Sequence, residues 1–203
     1  YNNKNILKYK KEKFNLKTYA INTFSKITGN LKKKNEIFII NSCLPFINEL
    51  MLQAHLNKII KINLPFDKSY SHKNEVNRKL RNNSLKVIKN DDEFSKFIKK
   101  IIIKNLPLTF LEEFKEIRKF NKKLNWVNKP KKIFTSSSNF SDDIFKIWLA
   151  EQKKNGSKLF CGQHGSQFIN KFCTNDFYAE KTCDKILTWG DRIGEGKKYF
   201  SVG

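Results

Sequence analysis

From residue 132 onward, short apolar runs alternate with one long amphipathic stretch. "KIFTSSS" (132–138) reads as a strand running into small hydroxyl residues. "SDDIFKIWLAEQKKNG" (141–156) reads as a helix, with Ser141 as N-cap, Asp142 and Asp143 in the first turn and lysines in the last. Its apolar stripe is Ile144, Phe145, Trp148 and Leu149, and Asn155-Gly156 stops it. "KLFCG" (158–162) and "DKILTWG" (184–190) read as further strands. Strand, helix and strand at these spacings predict an α/β unit on a parallel sheet.

The first half repeats the rhythm less cleanly. "EIFIINSCL" (36–44) predicts a strand, "FINELMLQAHL" (46–56) a helix, and "KIIKINL" (58–64) another strand. Residues 1–35 carry apolar positions among lysines and predict one or two helices ended by Gly29-Asn30. Residues 66–90 are polar, a loop or an exposed helical insertion. "DDEFSKFIKKIIIKNL" (91–106) predicts a helix that Pro107 interrupts, and apolar residues at 108, 111, 114, 117, 120 and 124 place a second helix over 108–124. "NWVNKPKK" (125–132) breaks the pattern and divides the chain into an N-terminal unit, 1–128, and a second unit, 129–203.

Composition narrows the class. The chain has 203 residues, 39% of them hydrophobic and 13% aromatic, which is enough to build a core. No apolar run approaches the roughly 18 residues of a membrane-spanning helix. A start without Met or apolar leader, and an abrupt end at "KKYFSVG", read as a piece of a longer chain. The net charge of +22 points first to nucleic acid. Yet of 41 basic residues, Arg78, Arg81, Arg118 and Arg192 are the arginines, and the lysines are spread out rather than clustered. Nucleic-acid readers lean on Arg for bidentate contacts, so no nucleic-acid partner is expected, and a lysine-rich nucleic-acid-binding domain stands only as a second alternative function. A peripheral attraction to anionic membrane suits lysine better. Cys43, Cys161, Cys173 and Cys183 are few and irregular, which fits reduced thiols in a cytoplasm.

Two strand ends could carry chemistry, because ligands of open α/β sheets bind beyond the carboxyl ends of strands. In "TSSS" (135–138), hydroxyls meet a helix N-terminus, which suits a phosphate or serves ordinary capping. In "GQHGS" (162–166), His164 stands between Gly162 and Gly165. Glycines let the backbone turn and approach a ligand, and the imidazole can donate to a phosphate or act as acid or base. The alternative is a tight turn with an incidental histidine. A zinc site from Cys161, His164, Cys173 and Cys183 lacks a second close-spaced ligand pair, so no metal is expected.

The blocks "KPKKIFTSSSNFSDDIFKIWLAEQKKNGSKLFCGQHG" and "DKILTWGD" resemble a family of transferases of bacterial surface-carbohydrate biosynthesis, the O-antigen and lipopolysaccharide pathways. "CLPFINELMLQAHLNKI" (43–59) and "NLPLTFLEEFKEI" (105–117) resemble earlier segments of that family, so the likeness runs from about residue 40 to 191 in order. The resemblance implies Rossmann-like domains of glycosyltransferase-B type, the C-terminal one truncated here. It implies a nucleotide-activated sugar as donor substrate, no separate cofactor, and a membrane-attached glycan as acceptor. It puts Ser136, Ser137, Gln163, His164 and Gly165 at the cleft, with His164 on the donor phosphate or in acid/base chemistry; Ser166 adjoins them in the same loop. The chain departs from the family pattern after Gly165, where "SQFINKF" replaces a glycine and an aromatic-glycine pair. That departure leaves open a non-catalytic α/β module that binds a nucleotide or a partner.

Overall fold

The computed structural model describes residues 37–57, 75–87, 89, 92–124, 126–163, 174–189 and 198–202. The expected helices before residue 36 and the expected strand at 58–64 lie outside them. Five strands, β1 (Ile37–Ile39), β2 (Lys132–Thr135), β3 (Lys158–Gly162), β4 (Lys185–Thr188) and β5 (Tyr199–Ser201), form one sheet. All pairs are parallel and the spatial order follows the chain order. The chain is therefore α/β with a parallel sheet, as its pattern predicts.

Sequential order has a consequence for the faces. Right-handed crossovers between neighbours in this order place their helices on one side of a sheet. The helices α1 (Phe46–Asn57), α2 (Arg78–Ser84), α3 (Glu93–Asn105) and α4 (Phe114–Asn121) lie between β1 and β2, followed by α5 (Ser138–Ser141), α6 (Asp143–Lys154) and α7 (Thr174–Thr182). Phe145, Trp148 and Leu149 of α6 and Ala179 of α7 share one core with Phe38, Ile133, Leu159, Cys161 and Ile186 from the sheet. Those strand residues stand in register on a single face. On the opposite face Ile39 is buried, Phe134, Phe160 and Leu187 are half-buried, and Lys132 and Phe200 are exposed.

The stripe read for α6 is the stripe that is buried. Its cap is one residue later than expected: the side chain of Asp142, not Ser141, accepts from the Phe145 N–H at 2.9 Å. Ser141 instead ends the four-residue α5, a turn that the sequence pattern merges into α6. Gly156 closes the helix at φ 93°, a left-handed conformation that suits glycine.

The expected helix over 108–124 is shorter. Leu108–Phe110 make a 3-10 turn, and α4 starts at Phe114. The side chain of Glu112 explains the interruption: it turns back to Arg81, accepting from Nε at 2.6 Å and from Nη2 at 3.0 Å, and also accepts from the Asn77 N–H. Both side chains of this ion pair are 3% exposed.

The segment read as a linker is packed. Trp126 lies 5.2 Å from the Trp148 ring and 5.8 Å from Phe38, and Val127 is buried in the core. The strand before residue 128 and the strand after it are hydrogen-bonded neighbours.

Candidate functional site

In a parallel sheet every strand points its carboxyl end to the same edge, so the residues that directly follow β1 to β4 start from there. The loop after β1 is the most constrained. Asn41 and Cys43 both have positive φ, 46° and 61°, which side-chain-bearing residues adopt at a cost. The strained loop is tied to the loop after β2 at three points. Asn41 Nδ2 donates to Ser138 Oγ at 2.7 Å, the Ser136 N–H donates to the Asn41 carbonyl at 2.9 Å, and Ser136 Oγ donates to the Ser42 carbonyl at 2.9 Å.

Ser42 then reaches α1. Its Oγ donates to Glu49 Oε2 at 2.6 Å, and Gln53 Nε2 donates to Glu49 Oε1 at 3.1 Å. Glu49 is half-buried and has no cationic partner among the described residues. A carboxylate held by neutral donors beside the strand ends is free to accept from a ligand hydroxyl or amine. Sequence reading missed Asn41, Ser42, Glu49 and Gln53 as site residues. The available signal was "NSCLPFINELMLQ", a polar triplet straight after a strand.

The predicted residues divide into two groups. Ser136 is buried, and both its N–H and its hydroxyl proton are spent on the β1 loop. It shapes the edge and keeps acceptor capacity there. Ser137 is half-buried at the start of α5, and its hydroxyl caps nothing. Gln163 is buried; its N–H donates to the Leu187 carbonyl at 2.8 Å and its Oε1 accepts from the Trp189 N–H at 2.9 Å, which joins the ends of β3 and β4. Trp189 itself is 60% exposed at that edge. His164, Gly165 and Ser166 lie outside the described residues.

Gly162 is required by contact. A Cβ there would stand 2.5 Å from Ser136 Oγ and 3.0 Å from the Phe134 ring. The close approach of β3 to the loop after β2 therefore penalises any larger residue, which must displace Ser136 Oγ.

The thiols divide by environment. Hydrogen bonding to Cys183 and burial push the Cys161 thiol far above its ordinary range, which makes it a poor nucleophile. Cys43 is exposed and free. Among the described residues no group of three or more His, Cys, Asp or Glu side chains is placed to hold a metal.

No curated protein and no solved structure matches the chain. A family model described as LIC12162 family transferase matches residues 1–201. With that match spanning nearly its whole length, the chain belongs to the LIC12162 family of transferases.

Proposed function

We propose that this transferase moves a glycosyl unit, or a related polyol-phosphate group, from a nucleotide-activated donor to a membrane-attached glycan acceptor in bacterial surface-carbohydrate assembly. The reading takes its glycosyltransferase-B character and its pathway from the resemblance of the "IFTSSS", "GQHG" and "LTWG" blocks. It assigns the donor phosphate to the carboxyl edge of the sheet. The observation that carries it is the knot between the loops after β1 and β2, built on left-handed Asn41 and Cys43 and closed by Gly162. Strain held by a hydrogen-bond network at a strand edge is a common mark of a binding site.

Breaking the sugar–phosphate bond leaves negative charge on the departing phosphate. His164, just beyond Gln163, supplies a proton or a hydrogen bond to that oxygen, with Gly165 and Ser166 offering backbone N–H groups. Ser137 offers a free hydroxyl to the same phosphate. Glu49 accepts from a hydroxyl of the sugar or acceptor. The whole chain works at the inner face of the cytoplasmic membrane.

Thermal unfolding with a panel of nucleotides and nucleotide sugars tests this. A ligand at about 100 times its Kd adds roughly 2.7 kcal/mol of stability. One nucleotide series should stabilise the wild type and lose most of that effect in His164→Ala. No stabilisation of the folded protein by any series would favour the non-catalytic module.

A further inference from the structure

We infer that α3 is a docking surface for anionic lipid. At about 100° per residue, Phe94, Phe97 and Ile101 share one narrow stripe of this helix. They are 71%, 57% and 38% exposed. Ile98 and Ile102, on the neighbouring arc, are half-buried, so the protein uses one side of the helix's apolar surface and leaves the other open. Lys96, Lys100 and Lys104 follow at a spacing of four on the far side of Phe97 and are all exposed. Among the described residues one weak tie engages this stripe, from Lys96 Nζ to exposed Glu93 at 3.3 Å.

An open phenylalanine stripe bordered by a lysine stripe matches a helix that lies in a membrane interface. Rings enter the boundary between headgroups and acyl chains while ammonium groups meet lipid phosphates. Charge selects this occupant over a second copy. The chain carries a net charge of +22, and a two-fold contact through α3 would set like-charged lysine stripes close together. The partner must be apolar and anionic at once, which describes an acidic bilayer. At 13 residues α3 is too short to cross a membrane, so its own contact with the bilayer is interfacial. This inference stands on α3 alone and goes beyond the donor-site reading.

Vesicle sedimentation of the full chain tests it, with phosphatidylglycerol-containing vesicles against pure phosphatidylcholine. The wild type should bind the anionic vesicles, release at high salt and leave the neutral ones unbound. Phe94→Ser with Phe97→Ser should weaken binding about tenfold or more. Lys96→Gln, Lys100→Gln and Lys104→Gln together should do the same or more. A control triple on α4 and its C-cap (Lys115→Gln, Lys119→Gln and Lys122→Gln) should change it far less. All these lysines are exposed, so the lysine variants keep the fold even if the serine pair does not. Equal binding to both vesicle types, no binding to either, or equal loss from the control triple would overturn the assignment. So would a dimer that the serine pair dissolves, which would give the face to a second copy. None of these readouts involves a nucleotide, so failure here leaves the donor reading standing.

Discussion

Glu112 and Arg81 show how one buried pair reshapes a helix. The hydrogen bond from Arg81 is the main reason the Glu112 carboxyl falls from near 4.5 to about 2. A carboxyl with a depressed folded-state pKa stabilises the protein fully above its ordinary value and loses that contribution as pH falls through the folded one. The stability of the wild type should therefore drop between about pH 4.5 and 2 more steeply than that of Glu112→Gln, measured by urea midpoints across that window. At neutral pH, Glu112→Ala leaves the buried Arg81 guanidinium without its carboxylate, with the Leu106 carbonyl still accepting from Nη2 at 2.8 Å, and should cost about 3 kcal/mol. Gly162 makes a second prediction at this scale. Gly162→Ala forces its methyl into Ser136 Oγ and should cost about 1–3 kcal/mol. Adding Ser136→Ala removes the clashing oxygen, so the double variant should cost less than the sum of the singles in a denaturation cycle. None of these contacts was legible in the sequence, because each joins residues far apart in the chain. The glycine in "GQHG" was visible as a turn residue; its real constraint is a serine in the loop after the neighbouring strand.

At the scale of elements, legibility followed periodicity. α6 shows a full apolar stripe, acids at its start and lysines at its end, and it forms with the expected buried face. Its first turn was less legible, since Ser141 and Asp142 are both good caps and the tertiary turn of α5 decides between them. Asp142→Ala should destabilise by about 1 kcal/mol and Ser141→Ala by much less, read from thermal unfolding. Helix α7 and strand β5 were not read at all. Among its described side chains, Ala179 is the one of α7 in the core cluster, and β5 has three residues, too few for a period to show. The helix expected over 108–124 failed for the opposite reason: its apolar spacing was regular, but Glu112 and Pro107 divert the backbone at its start.

At the scale of the molecule, the parallel sheet was legible because β2, β3 and β4 are short apolar runs at similar intervals, each pair parted by helix. The register was not, and it is the register that brings Asn41, Ser136, Gln163 and Trp189 to one edge. The sequence also gave no hint that Trp126 leaves the apparent linker to stack in the core. That stacking supplies an internal control, since Trp126 and Trp148 sit in the core while Trp189 stands exposed beside Gln163. Tryptophan fluorescence during nucleotide titration therefore reports on the carboxyl edge directly. One nucleotide series should give a saturable change, abolished by Trp189→Phe and weakened at least several-fold in affinity by Glu49→Gln. A change that survives Trp189→Phe, or no change in a folded protein at any nucleotide concentration, would contradict a ligand site at the carboxyl edge of this sheet.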